Sequence, residues 1–140
     1  MMYMLGFPLL VIPFAIYNMI AFLTPGLSWS GDVVTVRMIS GADWAVSPGQ
    51  ILVALAILIL FVEILKSTRL STRTIIDHIL STILFIGMLI EFLLVKQAAS
   101  ATFFLLLVIS FVDVVGGFTI TIRTAQRDIS IDGHEKIQPV

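Results

Sequence analysis

The chain has 140 residues, of which 59% are hydrophobic and only 12% charged, with a net charge of −1 and no cysteine. A soluble domain of this size cannot hide so much apolar surface, so lipid must solvate it. The small net charge excludes a global field that would draw in nucleic acid or acidic substrates, and the missing cysteines exclude disulfide staples and thiolate metal sites.

The first apolar stretch runs from about Met2 to Leu23, with Asn18 as its main polar side chain. Pro8 costs little in a first helical turn, whereas Pro13 is expected to kink the helix unless neighbours satisfy the freed carbonyl. No basic segment precedes the stretch, so a cleavable signal peptide is not expected. A loop over residues 24–47 follows. Its Val33-Val34-Thr35-Val36-Arg37-Met38 run has strand character, Gly41-Ala42-Asp43 is turn-like, and Trp44-Ala45-Val46 completes the pattern of a small β-hairpin over the mouth of a bundle. The alternative is an irregular loop with Trp29 and Trp44 anchored at the lipid headgroups.

The second stretch, Gln50 to Leu65, carries a clear start signal. Ser47 is placed to cap it, Pro48 suits the first helical position, and Gln50 closes a capping box. The third runs from about Ile75 to Val95 and the fourth from about Thr102 to Ile122. Each approaches the ~20 residues that cross ~30 Å of hydrocarbon. The fold class expected is therefore an all-α integral membrane protein, a four-transmembrane-helix bundle in one membrane domain over residues 1–127, with a short tail at 128–140. In that tail Asp132-Gly133 signals a hairpin; a strand added to a partner and a disordered end are the alternatives.

Orientation follows from the basic residues. Lys66, Arg69 and Arg73 lie between spans two and three, and Arg123, Arg127 and Lys136 follow span four. The opposite side carries Arg37 and Lys96 alone, so the positive-inside rule puts both termini in the cytoplasm. Arg123 and Arg127 form a basic edge suited to anionic lipid. With no cysteine and compact loops, a bacterial inner membrane is the expected location.

Four carboxylates, Glu63, Asp77, Glu91 and Asp113, fall inside or at the edges of these spans. An ionised Asp at a span centre costs roughly 2.5–3.5 kcal/mol on insertion scales, so something must offset, neutralise or use them. Asp77, Ser81, Leu84, Met88 and Glu91 share one helical face, with the two carboxylates about 21 Å apart. Asp77 follows Thr74 by three residues, where an acid would cap the helix, and Arg73 is a candidate partner. Glu91 stands near the outer boundary, within reach of water or Lys96. Glu63 precedes Lys66 by three residues, as in an interfacial ion pair, and can approach Asp77 or His78 on the next helix. His78 reads as an interfacial polar residue or a proton relay. Asp113 lies near the middle of span four, where so short a side chain cannot reach water. Ser110, Gly117, Thr121 and Thr124 share its face, which suits either close helix packing or a polar path for protons or a cation.

No phosphate-binding loop, nucleophile elbow or His-Glu-x-x-His pattern occurs, and no metal or other cofactor is expected. The function read from these features is that of a small non-enzymatic membrane protein acting by association. Its partners are the lipid bilayer and either other membrane subunits, to which it is an accessory, or copies of itself in a homo-oligomer. The alternative is an ion or proton pathway, or a small-solute transporter, using Asp113 with Glu91 or Asp77.

Overall fold

The computed structural model describes residues 6–135. In chain order the elements are α1 (Val11–Leu23), β1 (Val34–Arg37), β2 (Asp43–Val46), α2 (Pro48–Ser67), α3 (Thr72–Leu94), a 3-10 turn (Lys96–Ala98) and α4 (Ala101–Glu135). The fold is mostly helical with one small hairpin. Three helices, α2, α3 and α4, are long and apolar enough to cross a membrane, and α1 is an apolar helix of 13 residues.

The first helix is shorter than its sequence suggests. Residues 1–5 of the expected span lie outside the described residues. From Pro8 the chain makes a turn, in which Val11 N–H donates to Pro8 O at 3.2 Å and Ile12 N–H to Leu9 O at 2.9 Å, before α1 begins. Pro13 is then the third helical residue, where an N–H would have no intrahelical acceptor, so the expected kink has no cause.

At α2 the capping box forms as read. Ser47 Oγ accepts the Gln50 N–H at 3.3 Å and Gln50 Oε1 accepts the Ser47 N–H at 3.1 Å. The start of α3 differs from expectation. Ser71 is the cap, accepting the Thr74 N–H at 3.2 Å, and Thr74 lies inside the helix with its hydroxyl donating to Arg69 O at 2.8 Å. Asp77 is thereby moved into the second turn, away from any capping role.

The hairpin is antiparallel, with Val34 opposite Val46 and Arg37 opposite Asp43. Its turn closes through Met38 N–H to Ala42 O at 2.8 Å and needs a left-handed residue, supplied by Gly41 at φ 86°. Only Ala45 and Val46 in its strands are even half-buried, so the hairpin stands away from the bundle and does not cover it.

α4 packs against both α2 and α3 and forms the centre of the bundle. Toward the hairpin end it buries Phe103, Leu106, Leu107 and Ile109 against Tyr17, Leu52, Ala56 and Met88. At the other end the helix runs straight past Arg127 to Glu135, so a hairpin at Asp132-Gly133 does not form. At 35 residues it is about 52 Å long, more than any bilayer core requires. Its final turns expose Ile129 and Ile131, 72% and 61% accessible.

Candidate functional site

The last turns of α2 bring Glu63, Lys66 and Ser67 to the end of the bundle opposite the hairpin. Only four residues separate α2 from α3, so the helices lie antiparallel and Asp77 and His78 arrive beside them. All five side chains are buried. Lys66 Nζ donates to Glu63 Oε2 at 3.0 Å and to Phe7 O at 2.8 Å, and it is ion-paired with Asp77 Oδ2 at 3.1 Å. Three oxygens thus surround the ammonium, which is what it needs when removed from water. The second Glu63 oxygen, Oε1, accepts the Leu9 N–H. The ammonium thus binds α2 to α3, and Lys66 and Glu63, each through one backbone group, fasten the chain segment that leads into α1.

His78 points from α3 toward α4. Its Nε2 lies 2.7 Å from Thr121 Oγ1, and Thr121 Oγ1 donates its own hydrogen to Ser67 O at 3.1 Å. The hydroxyl has one hydrogen to give, so His78 Nε2 must be the donor to Thr121. Gly117 makes this contact possible. A Cβ there would sit 2.7 Å from His78 Cε1 and 3.0 Å from Nδ1, so only glycine admits the imidazole without displacement. Phe118 flanks the ring with centroids 5.1 Å apart.

One turn beyond Asp77 the polar column continues to Ser81, which lies against the Asp113 carboxyl of α4. Its hydroxyl oxygen closes no well-formed hydrogen bond, and neither does Asp77 Oδ1. Asp113 is 5% exposed and Ser110, on the same face, 2%. Asp113 follows the start of α4 by 12 residues, about 18 Å, which is halfway along the apolar part of the helix. Among the described residues no group of three or more His, Asp or Glu side chains is placed to hold a metal ion.

The structure thus gathers Glu63, Asp77, His78, Ser110, Asp113, Gly117 and Thr121 along one buried column, with Lys66 at its base. Asp77 takes Lys66 as its partner from another helix, so α2 supplies the central cation. His78 is buried between α3 and α4. Arg69, Arg73, Arg123 and Arg127 are exposed and fringe the same end.

Glu91 stands apart from the column. It accepts a hydrogen bond from Asn18 Nδ2 at 3.3 Å, so its partner comes from α1 and not from Lys96. Tyr17, which carries no charge and went unnoticed among apolar neighbours, organises this end. Its hydroxyl donates to Gln97 O at 2.8 Å and meets Ser100 Oγ at 2.7 Å, while its ring stacks on Trp29 at 4.4 Å. A tyrosine deep in an apolar stretch needs a partner for its hydroxyl, and that was the available signal. Trp29 is half-buried against this ring, whereas Trp44 is exposed on the hairpin. Beside Trp29, α2 and α4 leave an open groove of about 720 Å³ with Ser47, Gln50 and Thr102 at its top and Val53, Ile57 and Leu105 below.

Comparison with known protein families, with curated proteins and with solved structures finds no match to this chain.

Proposed function

We propose that this chain is a small, non-enzymatic integral membrane protein that works by association, as an accessory subunit of a membrane complex or as a homo-oligomer. The observation that carries this reading is the far end of α4. A membrane-crossing helix has no need of 35 residues, and the excess projects beyond the bundle with Ile129 and Ile131 exposed to whatever surrounds it. Inside the bundle, by contrast, the polar side chains are turned inward on one another, which leaves the lateral surface apolar for lipid or for another helix.

In this reading the N-terminal segment makes a fourth crossing. It begins beside Lys66 and Glu63 at Phe7 and Leu9, and its Tyr17 reaches Gln97 and Ser100 at the opposite end of the bundle. The basic fringe of Arg69, Arg73, Arg123 and Arg127 faces the cytoplasm of a bacterial inner membrane, and both termini lie on that side. A continuous ion path through one chain receives less support. Beyond Asp113, toward the hairpin, the interior is filled by Met88, Phe103, Leu106 and Leu107.

The test is the native mass of the full chain extracted gently from its own membrane, with co-purifying chains identified. Association predicts a defined oligomer or a stoichiometric partner that is lost in an Ile129→Asp/Ile131→Asp variant. A lone monomer in lipid nanodiscs, indifferent to that variant, overturns the reading.

A further inference from the structure

The column holds more negative charge than its own cation can match. Glu63, Asp77 and Asp113 are three carboxylates, and Lys66 is one ammonium already held between Glu63, Asp77 Oδ2 and Phe7 O. His78 gives its Nε2 hydrogen to Thr121, away from the carboxylates. Burying an unmatched carboxylate costs several kcal/mol, so the interior between Asp77 and Asp113 calls for a further positive charge.

Two atoms mark where that charge would sit. Asp77 Oδ1 has no hydrogen-bond partner and Ser81 Oγ, though it lies against the Asp113 carboxyl, closes no well-formed hydrogen bond; both residues are 2% exposed. They are four residues apart on α3 and so share a face, and Ser81 lies directly against Asp113 on the facing helix. A carboxylate oxygen and a hydroxyl left open beside a second carboxylate are acceptors awaiting a donor or a hard cation. Toward the hairpin the buried side chains are apolar, Met88 and Leu106 among them.

We infer that Asp77, Ser81 and Asp113 form a binding site for one exchangeable small monovalent cation, a proton held on or between the carboxyl groups or an alkali-metal ion. The shared chemistry is a single positive charge met by carboxylate and hydroxyl oxygens. A divalent ion is disfavoured because, among the described residues, no three His, Asp or Glu side chains are placed to hold a metal ion together. Among the described residues, the ionisable groups that face it are Glu63 and Lys66 from α2, Asp77 and His78 from α3, and Asp113 from α4. α1 contributes none. Lys66 acts as a tethered competitor, since its ammonium already holds the other oxygen of Asp77. The site stands independently of the association proposed above.

Infrared spectroscopy of the full chain in phosphatidylcholine vesicles tests this. The pH is varied across the range in which the protein stays folded, first in choline chloride and then in sodium chloride. The expected result is a protonated-carboxyl band that converts to carboxylate as the pH rises and disappears in Asp113→Asn. If sodium removes the band at fixed pH, the occupant is an alkali-metal ion in competition with the proton; if sodium has no effect, it is the proton alone. Ser81→Ala, which leaves every carboxylate in place, shifts the midpoint of the conversion. A band absent or unresponsive to pH and to sodium overturns the inference, as does a midpoint untouched by Ser81→Ala. Should Asp113→Asn fail to fold, the Ser81→Ala shift decides the matter alone.

Discussion

Replacing Lys66 by Met keeps the length and apolar stem of the side chain and removes only the charge. In the native protein that ammonium serves two carboxylates 3.0 and 3.1 Å away and one carbonyl at 2.8 Å, all enclosed. The variant leaves Glu63 and Asp77, 3% and 2% exposed, without a cation. Breaking a buried pair by removing one partner typically costs about 3–5 kcal/mol. The lost bond to Phe7 adds about 1 kcal/mol. The expected destabilisation therefore lies at the upper part of that range, measured as the shift in unfolding free energy on titrating denaturing detergent into mild-detergent micelles. The decisive comparison is the triple variant Lys66→Met/Glu63→Gln/Asp77→Asn. It removes the charges together while Gln keeps an acceptor for the Leu9 N–H, and replacing a whole buried pair is often nearly neutral. Stability should therefore return most of the way. A single variant that loses less than about 1 kcal/mol, or a triple variant no better than the single, would refute the view that this ammonium holds the helices together.

Gly117→Ala should drive the imidazole of His78 off Thr121, since the new methyl would lie 2.7 Å from Cε1; a loss of about 1–3 kcal/mol is expected. It is read by unfolding and by the imidazole nitrogen resonances. Tyr17→Phe keeps the stack on Trp29 but removes the hydroxyl that joins Gln97 and Ser100, and should lower stability by about 1 kcal/mol with an unchanged fold by circular dichroism. Ser47→Ala takes away the acceptor for the Gln50 N–H and should cost about 1 kcal/mol in the same unfolding titration, with Ser47→Asp restoring most of it.

Local chemistry was legible in the sequence, and long-range pairing was not. The start of α2 at Ser47-Pro48-Gln50 depends on residues three apart, and it forms as read. So does the hairpin around Gly41, whose alternation and turn residues are local. The face shared by Ser110, Asp113 and Gly117 follows from helical period alone, and all three are buried. The start of α3 was misjudged because Ser71 and Thr74 are both able to cap, and their choice rests on Thr74 reaching the Arg69 carbonyl. The partners of the carboxylates were out of reach for a different reason. Lys66 beside Asp77 and Asn18 beside Glu91 join residues 11 and 73 apart, which only the packing of helices brings together. The shortened first helix belongs here too. Its start is fastened by Glu63, 54 residues away from Leu9, and no property of the first stretch announces that.

That fastening has a consequence for biosynthesis. A ribosome delivers Phe7 and Leu9 long before Glu63, Lys66 and Asp77 exist, so the N-terminal helix must wait with its leading backbone groups unmet. Lys66 faces two successive tasks. In the membrane reading proposed above, it is at first a free charge in the last turn of α2, helping to decide which side of the bilayer that end stays on. Once α3 has followed, the same charge is drawn inward between two acids and ceases to be available at the surface. The final closure of the bundle thus belongs to the arrival of Asp77, and the orientation signal is spent in making the core.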